Sequence, residues 1–568
     1  MSNLGQSFAA GYGCLSAWAD LIDRINVFPV ADGDTGTNLR ISLAPMRDGD
    51  SGNGISLELL ARSATGNSGN IAAAFFREFC KAETPGQLAA RARLGRDRAW
   101  QAVADPRPGT MLTVFDCLAG VLTDHADQQT LYLTLRRALQ QVVEDTTKAI
   151  SELTAAGVVD SGALAMYVFF DGFFFCLTGQ QGRPDSILDR FAGRLLIQSD
   201  FSPPETDSYC IDLVMKAVDN QADFKESLRG LGESVVIVED QTMLKVHLHG
   251  QNPDTLRGRL DSFGEIVRWS AEPIAQEITG RETVQEHLAV HVITDAAGSI
   301  SRSMARKLGI SLLDSYIVHD GCARPESLYR PEQLYALLRA GNKITTAQAS
   351  SYERHQHYQS ICQEFGRCLY LPAGSAFTGN YHAAVAWKQD NDPNDLMTVI
   401  DTGAASGRLA LITLLTLRMA RNVAEPEAVV DFAVKAIDDC EELVFIDELK
   451  YLVAGGRVSR AGGFFGDLLS MKPVISPTRE GVRKIGVVHS RTGQLDFALH
   501  RLAARYDSTD DSPLILLQYS DNEPWVTGTV AGRVTELLPA AEVMIVPLSL
   551  TSGVHMGPGT WSIAFGSL

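Results

Sequence analysis

Through residues 1 to about 195, apolar side chains recur three and four positions apart, the spacing of one buried helix face. Leu57–Ala61 running towards Ile71–Lys81, Leu131–Leu153 and Ala163–Phe175 are the clearest stretches, and Gly, Asp and Thr collect in the turns between them. A polar, Pro-rich segment, Asp200–Ser208 (DFSPPETDS), breaks the pattern and marks a boundary. Beyond it Cys210–Val218 starts a short α/β unit, in which Val235–Val238 and Met243–His249 read as a hairpin around Glu239–Thr242 and Pro253–Phe263 as a helix, with the polar run Gln276–His287 closing it. From Leu288 the pattern changes again. Apolar runs such as AVHVITD (289–295), CLYLPAGS (368–375), LMTVID (396–401), LVFIDE (443–448), LILLQYS (514–520) and VMIVPLS (543–549) each end in a small polar loop, and helical stretches including Pro331–Ala340 and Ala428–Asp439 separate them. Strands apolar on both faces and alternating with helices predict a largely parallel sheet with its ligand loops at the carboxyl ends of the strands. The expected organisation is multidomain: an all-α domain over 1–198, a small α/β domain over 209–280 and a C-terminal α/β domain over 288–568.

Composition changes this picture only by exclusion. At 45% hydrophobic and 21% charged, the 568 residues are those of a globular chain with sizeable cores. A net charge of −18 argues against a general nucleic-acid binder and against broad adsorption to an anionic bilayer, leaving at most peripheral membrane contact. Nine dispersed cysteines without a C-x-x-C pair suit a reducing cytosol, and the first residues lack the features of a signal peptide, so a cytoplasmic location is expected. The most apolar run, Val168–Leu177, is too short to span a bilayer and contains Asp171; it reads as a buried core helix.

Candidate chemistry concentrates in four loops of the first domain. Asn26–Asn38, NVFPVADGDTGTN, places Asp32 and Asp34 two apart in a turn rich in Gly and Thr. Hard carboxylate oxygens at that spacing can converge on Mg²⁺, while Gly33 and Gly36 would let backbone N–H groups approach phosphate. The same residue types also make an ordinary surface turn. Thr65–Asn70 opens a helix, a natural anion site. Pro108–Thr113 and Val159–Gly162 are further loops of this kind.

Together, N-x-F-P-V-x-D-G-D-T-G-T-N, G-N-S-G, G-T-x-L-T-V and V-V-D-S-G resemble the ATP-binding domain of bacterial fatty-acid kinases, related to the nucleotide subunit of dihydroxyacetone kinases. The resemblance covers roughly residues 8–190 and implies an all-helical barrel in which two magnesium ions grip the phosphates of ATP. It implies Asp32 and Asp34 as catalytic metal ligands with Asn26 as a further one. Thr35, Gly36, Thr37, Asn38, Ser68, Gly69, Gly109, Thr110, Met111, Asp160 and Gly162 would line the nucleotide. Ala163 departs from the family, which tends to have Gly there.

In the second domain Lys245–His249 (KVHLH) puts two imidazoles on one face of a strand, with Cys210 upstream. Two imidazoles and a thiolate suit Zn²⁺; a half-exposed polar strand face with an unrelated Cys is the alternative. The middle region of fatty-acid kinases is similar, and that resemblance implies a metal at Cys210, His247 and His249.

The last domain carries Thr345–Ser350 (TTAQAS), Ser375–Tyr381 (SAFTGNY), Leu452–Ser459 (LVAGGRVS) and Gly553–Gly559 (GVHMGPG), a set similar to the DegV family. The resemblance implies a two-lobed α/β domain that binds a long-chain fatty acid, with Thr346, Thr378, Gly379 and His555 at its carboxylate; Arg457 and Arg491 are candidates for neutralising phosphate. Thr378 and Ala347 stand where the family usually has Ser.

These resemblances imply a fatty-acid kinase that uses ATP, Mg²⁺ and a Zn²⁺ site to turn a bound fatty acid into an acyl phosphate. The product would serve a downstream enzyme of phospholipid synthesis, and docking between chains of a homodimer is an expected arrangement. The competing readings are a non-catalytic fatty-acid carrier or sensor, and a kinase for a small hydroxylated substrate of the dihydroxyacetone type.

Overall fold

The computed structural model describes residues 4–47, 55–124, 128–181, 186–203, 208–216, 224, 228, 230–239, 243–274, 288–454, 472–506 and 512–567. They fall into two compact units, Met1–Glu282 with Tyr352–Ser360, and Thr283–Ser351 with Ile361–Leu568.

The first unit begins with helices α1 (Leu4–Arg24), α2 (Thr35–Leu43), α3 (Leu57–Ser63), α4 (Gly66–Phe79), α5 (Leu88–Ala102), α6 (Met111–Asp124), α7 (Gln128–Ala149), α8 (Ser151–Ala156) and α9 (Ser161–Leu177). Their core is aromatic. Phe75 and Phe115 stack with centroids 4.0 Å apart, and Phe8, Phe79, Phe170 and Phe173 pack edge to face around them. The apolar run of Val168–Leu177 lies in α9, where Phe169, Phe170, Phe173 and Phe174 are buried. Its acid, Asp171, is satisfied in place by the Tyr132 hydroxyl at 2.9 Å and Arg136 at 3.3 Å. No helix among the described residues is long and apolar enough to cross a membrane.

Leu131–Leu153 is not one helix. The chain leaves the helical region at Ile150, and the carbonyl of Ile150 then caps the start of α8 by accepting from Thr154 at 3.0 Å. Periodicity does not register such a break, because α8 resumes with its own apolar positions in phase.

Glycines let the helices approach closely. A Cβ on Gly36 would lie 2.1 Å from the Ala19 carbonyl oxygen of α1, and one on Gly172 of α9 would lie 2.6 Å from Cys14 Sγ of α1. The same unit continues into an antiparallel sheet of order β2-β3-β1-β4, with β1 Tyr209–Lys216, β2 Glu233–Glu239, β3 Met243–Gly250 and β4 Ile266–Pro273. One face packs Leu213, Val246 and Leu248 against helix α10 (Pro253–Asp261; Leu256, Leu260). The other face is polar and meets the helices: Arg77 donates to the Glu239 carbonyl at 3.0 Å, and Lys245 Nζ to the Ala64 carbonyl.

The second unit has two principal sheets. The first, β11-β10-β5-β6 (β5 His291–Asp295, β6 Ser311–Leu313, β10 Cys368–Leu371, β11 Met397–Val399), is parallel throughout. The second is six-stranded with order β14-β13-β12-β17-β15-β16 (β12 Glu441–Phe445, β13 Lys472–Thr478, β14 Gly481–Val488, β15 Leu514–Tyr519, β16 Glu542–Pro547, β17 Trp561–Gly566). Only β15–β16 pair in parallel there, so the expectation of a largely parallel domain is corrected for this half. An apolar run reports burial on both faces; strand direction is set by connections, here the β13–β14 hairpin and the return of β17 between β12 and β15. A three-stranded sheet, β8-β7-β9 (β7 Tyr316–His319, β8 Cys322–Pro325, β9 Thr345–Ala347), completes the unit. The buried helix Ser406–Asn422 shares one core with both principal sheets, Leu409–Leu417 packing with Val292, Leu369, Leu514 and Ala564. Its N-terminus is held by fully buried Glu442, which accepts from the N–H groups of Gly407 at 3.2 Å and Arg408 at 3.0 Å.

The glycine contacts give a direct test. Gly36→Ala should destabilise the protein by about 1–3 kcal/mol, as overpacking does. Gly120→Ala, on α6 with nothing within 4 Å of the new methyl, should be neutral or stabilising by up to about 1 kcal/mol. Chemical denaturation of both variants checks the difference, and equal effects would reject the close-approach account.

Candidate active site

The acid-rich turn is built at the junction of α1 and α2. Asp23, in the last turn of α1, accepts from Gly36 N at 2.6 Å, Thr37 N at 3.0 Å and Thr37 Oγ1 at 2.7 Å. The Gly36 N–H, with both donors of Thr37, is thus engaged by Asp23. Gly33 does adopt the conformation only glycine takes readily, φ +64°. Asp32 and Asp34 stand at the mouth of the turn. Asn26 Nδ2 donates to Asp32 Oδ1 at 2.6 Å, and Asn26 Oδ1 accepts from Ser161 at 3.0 Å, so Asn26 bridges the turn to the start of α9.

Several of the remaining predicted nucleotide residues contact one another beside this turn. Ser161 Oγ lies 3.2 Å from Thr35 Oγ1, and Ser68 Oγ donates to the Thr35 carbonyl at 3.4 Å. A Cβ on Gly66 would strike the Asn38 amide at 2.0 Å, and one on Gly69 would strike Ser42 Oγ at 2.0 Å, so α4 closes on α2 through its small residues. A Cβ on Gly162 would lie 2.7 Å from Met111 Cε, which joins the 109–111 loop to the start of α9. Gly109 donates to Thr113 Oγ1 at 2.8 Å and Thr110 Oγ1 to the Arg107 carbonyl at 3.0 Å. Asp160 caps α9 through Ala163 N at 2.7 Å.

The electrostatics of this cluster are those of carboxyl groups buried close together. Desolvation, only partly offset by its hydrogen bonds and reinforced by the charge of Asp23, raises the Asp32 carboxyl to about 6. Desolvation and the charges of Asp32 and Asp23 push Asp34 well above the usual carboxylate range. Burial lifts Asp160 to about 7. A hard divalent cation between Asp32 and Asp34 would relieve that repulsion, and their oxygens are the donors it prefers.

Beside them lies the polar face of the middle sheet. Cys210, His247 and His249 bring one ligand atom each within 4.8 Å of the others. The two Nε2 atoms are 3.2 Å apart, close to the separation of about 3.3 Å that two nitrogens on one tetrahedral zinc adopt. Burial and the neighbouring His247 hold His249 neutral, with its pKa pushed down to about 3, as a ligand must be. Burial raises the Cys210 thiol, and the charges of Asp212, Asp34 and Asp32 raise it further, which sets this cluster within electrostatic reach of the acid turn.

In the second unit, Thr346 Oγ1 lies 3.3 Å from His555 Nε2. A Cβ on Gly379 would lie 3.6 Å from the Gln348 amide, so the 345–350 and 378–380 loops also converge. Thr378 Oγ1 accepts from Asn380 N at 3.3 Å. Buried Asp295 fixes that loop, accepting from Ala373 N at 2.8 Å, Asn380 Nδ2 at 2.9 Å and Tyr370 OH at 2.6 Å. Arg491 is turned to the segment after His555, donating to the Gly559 carbonyl at 3.2 Å and stacking over Trp525 at 4.7 Å. Arg457 lies outside the described residues.

Asp23 and Asp212 do not stand out in the sequence, whereas Ser161 lies within the V-V-D-S-G motif and Asp295 ends the AVHVITD run. Asp23 had a signal: an acid in the last turn of a helix opposes the macrodipole and needs strong donors of its own.

Three family models match the chain: a DAK2 domain over 29–174, the middle domain of FakA-like fatty acid kinases over 206–281, and the uncharacterised DegV protein family over 289–567. Uncharacterized protein SH1689 of Staphylococcus haemolyticus is 29% identical over 309 residues, 48% of this chain and 55% of that one. Protein YloV of Bacillus subtilis is 28% identical over 354 residues, 54% of this chain and 64% of that one. The chain thus spans 55% and 64% of these curated relatives. Among solved structures, a fatty-acid-binding DegV family protein from Thermus thermophilus is similar with TM-score 0.45 and 23% identity, covering 49% of this chain and 99% of that one. DegV, a fatty acid binding protein from Bacillus subtilis, is similar with TM-score 0.45 and 17% identity over the same shares.

The raised acids predict a pH-dependent stability. Asp32 has a native pKa of about 6 against an ordinary 3.8, so its ionisation opposes folding as pH rises through that window. In metal-free protein Asp32→Asn should therefore raise the melting temperature at neutral pH and leave it unchanged below about pH 4. Calorimetry at the two pH values checks this; an equal change at both would reject it.

Proposed function

We propose, for a chain that is a fusion of a DAK2 domain, a FakA-like fatty acid kinase middle domain and a DegV-family domain, that it transfers the γ-phosphoryl group of ATP to a fatty-acid carboxylate. The observation that carries this reading is the pair Asp32 and Asp34 in one turn, tied to the start of α9 through Asn26 and set among small-residue loops and helix N-termini.

Asp32 and Asp34 would hold Mg²⁺, with Asn26 beside them. The loops carrying Thr35, Ser68, Gly109, Thr110 and Gly162 would cradle the nucleotide. Magnesium, when bound, neutralises phosphate charge. In the DegV-family domain Thr346 and His555 would receive the carboxylate, with Thr378 and Gly379 on the adjoining loop. A hydroxyl and an imidazolium are strong donors to such an anion.

The reaction balances without a proton. A carboxylate oxygen forms the new bond to the γ-phosphorus, the bond from that phosphorus to the β,γ-bridging oxygen breaks, and ADP leaves with the electron pair. A carboxylate is ionised at neutral pH, so no general base is needed, which suits a centre of Asp, Asn, Thr and Ser. Positioning and charge neutralisation would supply the rate. Cys210, His247 and His249 fit a zinc-class cation with three protein ligands among the described residues, the pattern of a site with an open position. Such an ion supplies Lewis acidity beside the acid turn.

Protein incubated with Mg²⁺-ATP and a long-chain fatty acid should yield ADP and an acyl phosphate that hydroxylamine traps as the hydroxamate. Asp34→Ala should lower the rate by at least about 100-fold. His555→Ala should weaken fatty-acid binding by about 1.5–3 kcal/mol, the worth of a hydrogen bond to a charged group. ADP release driven by dihydroxyacetone in place of fatty acid would overturn the reading in favour of a small-substrate kinase. Bound acyl chain with no turnover would overturn it in favour of a carrier.

A further inference from the structure

Four of the polar side chains on one face of the middle sheet form two opposed pairs, and only three of the four converge. In the β1–β3 ladder Cys210 stands opposite His249, and Asp212 opposite His247. Alternate residues of a strand share a face, and so do directly opposed residues of paired strands, so all four project to the same side. Cys210, His247 and His249 bring their ligand atoms together there. Asp212 meets the other edge of the His247 ring, with Oδ1 3.2 Å from Nδ1.

The two ring nitrogens point away from each other. A carboxylate at Nδ1 therefore cannot ligate an ion held by Nε2, and Asp212 is not a fourth ligand. An aspartate carboxylate offers only acceptors, so the bond requires the proton of the neutral ring on Nδ1. That leaves the lone pair of His247 on Nε2, the atom 3.2 Å from His249 Nε2 in a space where the two residues are 1% and 4% exposed.

We propose that Asp212 is a positioning residue that fixes His247 as the Nδ1–H tautomer and so commits its Nε2 to a divalent cation shared with His249 and Cys210. This rests on the reading of that cluster as a cation site. A ligating imidazole held from behind by a carboxylate is more basic and has its ring plane set before the ion arrives, and loss of such a partner typically weakens metal affinity 10–100-fold.

The test uses the full chain, stripped by chelation and titrated with Co²⁺, whose d–d bands and thiolate charge-transfer band report the ligand set. Asp212→Ala should weaken Co²⁺ binding about 10–100-fold, and Asp212→Asn, which keeps an acceptor oxygen but no charge, should weaken it less. In metal-free protein labelled with ¹⁵N-histidine, His247, assigned by its absence in His247→Gln, should show the Nδ1–H tautomer in the wild type and in Asp212→Asn, and a tautomer mixture in Asp212→Ala. The tautomer ratio and the Co²⁺ spectrum would not move if Asp212 only stabilised the sheet, and Asp212→Asn keeps the test open if Asp212→Ala fails to fold. Wild-type Co²⁺ uptake that Cys210→Ser leaves untouched would overturn the cation site itself. Uptake lost in Cys210→Ser but unchanged in Asp212→Ala, with the tautomer also unchanged, would overturn the Asp212 assignment alone.

Discussion

The candidate kinase centre depends on the carboxylate of Asp23. It ends α1 and, by accepting from Gly36 N, Thr37 N and Thr37 Oγ1, it also begins α2. An anion at the C-terminal end of one helix is unfavourable, and the same anion at the N-terminal end of the next is favourable. Setting the second helix start against the first helix end resolves the conflict and fixes the loop between them. Asp32 and Asp34 lie in that loop, so their crowding follows from how tightly Asp23 draws the two helices together. The glycines complete the constraint: Gly36 admits the Ala19 carbonyl, and Gly66 and Gly69 let α4 close over Asn38 and Ser42.

The same logic governs the second unit, where buried carboxylates also hold loops in place. Asp295 gathers Ala373 N, Asn380 Nδ2 and Tyr370 OH, and so shapes the turn that carries Thr378 and Gly379. Glu442 gathers the first N–H groups of the helix that both sheets share. In each case one acid replaces several water contacts with fixed donors, which is why it can be buried.

Much of this was legible in the sequence because motif residues are contiguous and periodicity survives folding. The helical first segment and the strand carrying His247 and His249 follow from local pattern, and a common site for the Asn26–Asn38, Thr65–Asn70 and Val159–Gly162 loops was implied by the family resemblance. What was not legible depended on partners distant in the chain. Asp23 looks like one of several charges at a helix end until its three donors are seen. The direction of β17 is invisible in its own residues. Arg491 carries a charge suited to phosphate, and only the structure shows that it also meets the Gly559 carbonyl and the Trp525 ring. Asp212 lies thirty-five positions from His247 and becomes its neighbour only through the β1–β3 register.

The place of β17 has a consequence for biosynthesis. It pairs with β12 on one side and β15 on the other, so residues 561–566 join two half-sheets that precede them in the chain. Until those residues emerge, Leu443, Phe445, Ile515 and Leu517 belong to half-sheets whose inner edges are unpaired, the condition that invites intermolecular strand pairing. Closure of the lobe therefore waits on the pairing of β17 with β12, a long-range event that is slow by topology.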